Sequence, residues 1–142
     1  MKCLGLDFGE KTIGIAVSDD LSLTAQGVTT LYRKSLSQDM AALEQLVKDY
    51  QASQIVIGLP LNMNGTEGGK AREVRQFMQQ LERHFGDKVS VIPWDERLST
   101  MAAERGLLEA DLSRAKRRKV IDKMAAVFIL QGYLDSIITD VR

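Results

Sequence analysis

The segment Gln54 to Leu59 constrains the fold of this chain more than any other. Ile55, Val56 and Ile57 form a continuous apolar run closed by Pro60, too short for a buried helix and without the polar alternation of a half-wet strand. Such a run is a strand covered on both faces, and strands of that kind sit in parallel sheets joined through helices. The sequence supplies those helices. Ser35 with Gln38 three residues on forms a capping box, and Met40, Leu43, Leu46, Val47 and Tyr50 recur at helical spacing, which predicts a helix ending at Tyr50. After a loop from Leu61 to Gly69, the residues Ala71, Val74, Met78, Leu81 and Phe85 share one face while Arg72, Arg75, Gln79 and Glu82 face outward, and Gly86 is placed to stop the helix. Ser99 can cap a further helix through about Leu108, with Leu98, Met101, Ala102 and Leu108 as its core side, and a final helix runs from about Lys119 to Ile137.

The N-terminal part reads differently. Lys2 to Asp7 is a strand, Phe8 to Lys11 a tight turn around Gly9, and Thr12 to Ser18 a second strand in which Ile13, Ile15 and Val17 alternate with smaller residues. A loop from Asp19 to Leu23 leads to a third strand, Gly27 to Tyr32, and a short buried strand at Val89 to Pro93 completes the set. An antiparallel meander extended by two parallel strands makes a five-stranded mixed sheet flanked by helices, an α/β fold. The 142 residues suit one domain, 1–142, and with 44% apolar but only 6% aromatic residues the core is aliphatic and needs no metal or disulfide staple.

Cys3 is the single cysteine, so no intramolecular disulfide can form, which points to a reducing compartment and the cytoplasm. The apolar stretch Ala125 to Leu130 is far short of the ~20 residues that span a bilayer, and Asp7 interrupts the N-terminus where a signal peptide would stay apolar. No membrane is expected. The 19 basic and 19 acidic residues cancel, but Arg114 to Lys123 holds six basic residues (Arg114, Lys116, Arg117, Arg118, Lys119, Lys123) against the single acid Asp122. Such a block is either solvated surface or a patch that releases counterions from a phosphate backbone, and an acid inside it favours the second reading.

Three acidic positions lie where burial would normally exclude them. Asp7 ends the first apolar strand and is followed by Gly9, which lets a phosphate or metal approach the backbone. Asp95 and Glu96 follow the last strand at its C-terminal edge, where open α/β sheets place ligands. Asp122 shares a helix face with Ala125, Ala126, Ile129, Leu130 and Tyr133, so it needs a cation or hydrogen-bonding partner. Singly these acids are a turn residue, a partner for Arg97 and a helix-end charge. Brought together, they are hard oxygen ligands suited to magnesium or manganese. His84 is the only histidine and sits on the flank of an amphipathic helix, which removes a serine-histidine triad or a histidine-zinc centre. The loop after Pro60 lacks the order of a P-loop; it is either a flexible connection or, through Asn62, Asn64, Gly65 and Thr66 and the next helix's N-terminus, a phosphate contact. Trp94 either stacks on a base or fills the core edge.

Asp7-Phe8-Gly9 with Ile13-Gly14-Ile15-Ala16-Val17-Ser18-Asp19, Gly58-Leu59-Pro60-Leu61-Asn62 with Gly65, Asp95-Glu96-Arg97-Leu98-Ser99-Thr100, and Asp122 with Ala125-Ala126 and Ile129-Leu130 occur in this order along nearly the whole chain. The chain thereby resembles the YqgF/RuvX family, in which the Gly-Leu-Pro loop and the Asp-Glu-Arg run are the specific elements. Thr12 stands where many members carry arginine, a departure that leaves the acids in place. The resemblance implies a ribonuclease H-like fold related to Holliday-junction resolvases and a nuclease that matures the 5′ end of pre-16S ribosomal RNA, with branched DNA as the alternative substrate. It maps the catalytic acids to Asp7, Glu96 and Asp122, with Asp95 as a further metal partner. In a two-ion site, with Mg2+ or Mn2+ roughly 3.5–4 Å apart, Asp7 would bridge and the others flank. Gly9, Asn62, Gly65, Arg97, Arg117, Arg118, Lys119 and Lys123 would hold nucleic acid. The partners are then pre-16S rRNA and a pre-ribosomal particle, bound by a monomer or weak homodimer. Two other classes stay open: a non-cleaving RNA-binding assembly factor, and an ATP-binding protein, because Asp7-x-Gly9 with Thr12 also resembles the phosphate loop of the actin and sugar-kinase superfamily. Those proteins close two such domains around nucleotide, and this chain has room for one.

Overall fold

A computed structural model describes residues 2–98 and the backbone of 114–141, with the side chains of 124–137 in that last segment. Strands β1 (Cys3–Phe8), β2 (Thr12–Ser18) and β3 (Ala25–Tyr32) form the antiparallel meander. β4 (Gln54–Leu59) pairs parallel with β1, and β5 (Ser90–Asp95) pairs parallel with β4, so the sheet order is β3-β2-β1-β4-β5. Helices α1 (Leu36–Tyr50), α2 (Gly69–Phe85) and α3 (Arg114–Val141) complete the described elements. This is the five-stranded mixed sheet that the hydrophobic pattern predicts.

Strand alternation sorts the core into two layers. Leu4, Leu6, Ile13, Ile15, Ile55 and Ile57 are buried in one cluster with Met40 and Leu43 of α1 and with Val74, Phe77, Met78 and Leu81 of α2. Cys3, Ala16 and Val56 face the other way, against Ala126, Ile129, Leu130 and Leu134 of α3. Small residues on that second face let the helix come close. A Cβ on Gly5 would lie 2.7 Å from Leu130 Cβ and 3.0 Å from the Ala126 carbonyl oxygen. α3 runs antiparallel to β1 and β4, because the Tyr133 hydroxyl donates to Gln54 Oε1 at 3.2 Å near the start of β4 while Ala126, nearer the helix N-terminus, lies over Gly5. The N-terminal half of α3 is therefore directed toward the C-terminal edge of the parallel strands.

Boundaries depart from the sequence reading where tertiary partners extend an element. β1 is shifted to Cys3–Phe8, and β3 begins at Ala25 instead of Gly27. Gln131 explains the second difference: its side-chain oxygen accepts the Ala25 amide at 2.9 Å, and its nitrogen donates to the Leu23 carbonyl at 2.9 Å, as a neighbouring peptide would. β5 runs on through Trp94 and Asp95, and Pro93 is tolerated because β5 is an edge strand. α3 begins at Arg114, not Lys119, so the basic block forms its first turns. The helix expected from Ser99 to Leu108 lies outside the described residues. Leu98, expected in that helix's core, is 65% exposed. Among the described residues, no helix is long and apolar enough to cross a membrane.

Candidate active site

Asp7 lies next to the end of β1, paired with Gly14, and the chain then turns through Gly9 to Lys11 into β2. The Gly9 amide donates to the Thr12 carbonyl at 2.8 Å, and a Cβ at Gly9 would lie 3.0 Å from that oxygen, so a side chain would push the turn open. Arg33 fixes the same turn from outside. Its Nη1 donates to the Gly9 and Glu10 carbonyls, both at 2.9 Å, and its guanidinium covers the Phe8 ring at 4.4 Å. Phe8 in turn stacks on Phe77 of α2 at 4.3 Å. The segment carrying Asp7 is thus braced by a cation and two rings that no short motif announced.

Glu96 opens a single helical turn, Glu96–Leu98, directly after β5. Asp95 closes that turn: its Oδ1 accepts the Arg97 backbone amide at 3.0 Å, and its carboxylate takes the Arg97 guanidinium at 3.1 Å (Nε) and 2.7 Å (Nη2). The guanidinium, before the other influences, holds the Asp95 carboxyl below the usual carboxylate range, and Asp95 raises Arg97 in return. The resemblance implies Asp95 as a further metal partner and Arg97 as a phosphate contact, and their pairing here is compatible with both roles. The structure pairs them with each other, with Arg97 Nη1 also donating to the Met63 carbonyl at 3.1 Å.

β4 lies between β1, which carries Asp7, and β5, which Glu96 follows, and Gly58 on β4 makes room for the Glu96 carboxylate. A Cβ at Gly58 would sit 2.5 Å from Glu96 Oε1 and 2.5 Å from Ile129 Cδ1, so the carboxylate occupies the space that any other residue would fill. Asp7 and Glu96 line one cavity of about 500 Å³ together with Gly9, Glu10, Lys70 and Glu73. Lys70 and Glu73 escaped the sequence reading. They stand one turn apart at the start of α2, a spacing indistinguishable from a solvated face until the fold brings it to the sheet edge.

Other expected residues fall outside this cavity or outside the description. The backbone of Asp122 lies in α3, four residues before Ala126, toward the same sheet edge, and its side chain is not described. The same holds for Arg117, Arg118, Lys119 and Lys123. Among the described residues, no group of three histidine, cysteine or acidic side chains is gathered closely enough to hold a metal. The loop after Pro60 is a built hairpin. Leu61 bridges Glu67, the Asn62 amide donates to the Thr66 carbonyl at 2.9 Å, and Gly65, at φ +87°, donates to the Asn62 carbonyl at 2.8 Å. Asn62 and Asn64, candidates for substrate contact, both bond the Thr66 hydroxyl, at 3.0 and 2.7 Å. Trp94 proves a core-edge residue, packed on Gly132 and edge-on to Tyr133 at 6.2 Å. His84 is exposed on α2, 3.8 Å from Glu44.

A five-stranded mixed sheet with one carboxylate near the C-terminal end of its first strand and another just after its last parallel strand defines a ribonuclease H-like fold of the resolvase type. Two solved structures share it. Thermus thermophilus RuvC in complex with a Holliday junction substrate matches with a TM-score of 0.61 and 14% identity, covering 98% of this chain and 96% of that one. The fowlpox virus Holliday junction resolvase matches with a TM-score of 0.57 and 14% identity over 96% of this chain and 99% of that one. Residues 1–136 match the model of the RuvX family, described as Holliday junction resolvase, and the chain belongs to that family. A relative from Symbiobacterium thermophilum is 59% identical over 136 residues, 96% of this chain and 93% of its own length, and carries the name "Putative pre-16S rRNA nuclease". A Clostridium novyi protein of the same name is 54% identical over 137 residues, 96% of this chain and its whole length.

Proposed function

We propose that this protein is a nuclease that hydrolyses phosphodiester bonds with divalent metal ions and processes the 5′ end of pre-16S ribosomal RNA, in the cytoplasm and on the pre-ribosomal particle. The observation that carries this reading is that Asp7 and Glu96, from opposite sides of β4, line one cavity, with Glu96 in the space that Gly58 leaves free. The RNA substrate is supported by relatives of that name at 59% and 54% identity over 96% of the chain.

The donor chemistry fits magnesium or manganese. Asp7 and Glu96 offer hard carboxylate oxygens, Glu10 and Glu73 deepen the negative field of the same cavity, and the chain's single histidine is remote on α2. Asp7, Glu96 and Asp122 would hold the ions, which when bound supply an activated water and neutralise charge on the leaving oxygen. The protein's own residues do the rest. Lys70 is the one cation among the cavity's described lining residues and sets a positive charge where a phosphate enters. Arg33 keeps the Asp7 turn closed, and Asp95 keeps the Glu96 turn closed, so both carboxylates are oriented before substrate arrives. Arg117, Arg118, Lys119 and Lys123 are the further basic residues that would meet the phosphate backbone.

Cleavage of a single-stranded RNA carrying the extra 5′ sequence of pre-16S rRNA, with magnesium or manganese, tests the proposal against Asp7→Asn and Asp122→Asn. RNA cleavage by the wild type that both variants lose is the expected result. Cleavage of a matched DNA junction alone would move the activity to recombination, and salt-dependent binding with no cleavage in either metal would make the protein an assembly factor.

A further inference from the structure

Met63 is 91% exposed, yet it stands on one of the most tightly tied loops of the protein. The hairpin beneath it is closed by the Leu61–Glu67 bridge, by the backbone bonds of Asn62 with Thr66 and Gly65, and by the Asn64 and Thr66 side chains. Glu67 is anchored to Arg75 of α2 at 3.1 Å. The Met63 carbonyl is held by Arg97 Nη1, and Arg97 is itself held by Asp95. Gly65 packs beside the same guanidinium, since a Cβ there would lie 3.5 Å from Nη1 and 3.7 Å from Nη2, so the hairpin and the Arg97 side chain support each other. Leu98, next to Arg97, is 65% exposed. An exposed methionine on a mobile loop needs no explanation. Here a hydrogen-bonded support carries the exposed side chain close in sequence to the cavity, since Pro60 lines the cavity and precedes the hairpin, and Arg97 follows Glu96.

We propose that Met63, on the hairpin that Arg97 ties to the Glu96 turn, is a contact surface for a nucleobase that flanks the phosphate held at Asp7 and Glu96. A thioether against a ring is a contact on which an unpaired base settles without sequence preference. The base must be unstacked from its neighbour to reach it, so the preferred substrate is a single strand or a frayed end. This inference rests on the nuclease reading and adds a determinant of substrate form that the carboxylates do not supply.

The test uses a single-stranded RNA of the pre-16S 5′ sequence with 2-aminopurine beside the cleavage position, in calcium to prevent turnover. Binding is followed by anisotropy and unstacking by 2-aminopurine fluorescence. Wild type should bind and change the fluorescence. Met63→Ser should weaken binding by about two- to tenfold, the range of a single sulfur–ring contact, and lose the fluorescence change, while Met63→Leu, which keeps the apolar bulk without the sulfur, retains part of both. Equal fluorescence changes and affinities for wild type and Met63→Ser would overturn the inference and leave the nuclease reading standing. No RNA binding by the wild type would overturn both.

Discussion

Gly58 and Glu96 occupy one space: the point where a Gly58 Cβ would lie is 2.5 Å from Glu96 Oε1. The glycine is on β4, between the strand of Asp7 and the strand that Glu96 follows, so its missing side chain makes room for the Glu96 carboxylate, which lines one cavity with Asp7. Gly58→Ala should displace Glu96 and press on Ile129, lowering stability by about 1–3 kcal/mol as core overpacking does. Cleavage should fall further than stability accounts for, by about 10–100-fold, as expected when a ligand-bearing turn is re-aimed. Thermal melts and single-turnover cleavage check this against Gly69→Ala, where the added Cβ meets nothing within 4 Å. Equal activity of the two variants would refute the role given to Gly58.

Asp95 provides a second separation. Its carboxylate is spent on the Arg97 backbone amide and guanidinium, so it shapes the turn around Glu96 and does not need to touch an ion. Asp95→Asn keeps an oxygen for the amide but loses the charge facing Arg97, and cleavage should drop about 10–100-fold, the effect of an outer-shell partner. Asp7→Asn should abolish it. Manganese titration followed by electron paramagnetic resonance distinguishes the roles: unchanged stoichiometry in Asp95→Asn supports a positioning residue, and loss of a bound ion would restore it as a ligand.

At the opposite end of the sheet, Gln131 completes the edge of β3 by bonding both Ala25 and Leu23, and its nitrogen also reaches Asp135 at 2.9 Å. Gln131→Ala strands a part-buried amide and should cost about 1–3 kcal/mol in urea unfolding. Amide exchange at Ala25 should accelerate, and RNA cleavage should be unchanged, because the Asp7 end of the sheet keeps all its contacts. A protected Ala25 in the variant would show that the side chain is incidental.

What was legible in the sequence was what local pattern determines. The run Ile55 to Ile57 announced the parallel strand, Ser35 and Gly86 marked a helix start and a helix end, and Asp7 and Glu96 stood out because apolar strands led into them. What was not legible depends on residues distant in sequence. The Arg33 brace on Gly9 spans 24 positions, and the hold of Arg97 on Met63 spans 34, and neither leaves a spacing signature. Asp95 and Glu96 are hard to separate for a related reason: adjacent acids look alike in sequence, and the turn geometry gives one to Arg97 and the other to the cavity. Gly58 looked like part of a motif, whereas its physical reason is a carboxylate arriving from another strand.

Asp19 makes the loop between β2 and β3 sensitive to acid. Its Oδ1 accepts the Leu23 amide at 2.8 Å, and Oδ2 accepts the Thr24 hydroxyl at 3.1 Å. The Leu23 hydrogen bond above all lowers its pKa from the ordinary carboxylate value. A depressed folded pKa means the ionised form is favoured by folding, so its contribution is complete above the unfolded-state pKa and disappears as pH falls through the folded value. Because the carboxylate is solvent-exposed, the effect should be local, opening the loop before the sheet unfolds. Carbon-13 titration of the Asp19 carboxyl should give a midpoint below that of the urea-unfolded chain, and protection of the Leu23 amide should decline over the same acid range. Asp19→Asn should remove that acid-range change while leaving cleavage intact. Identical loss of Leu23 protection with pH in wild type and variant would mean that another group controls the loop.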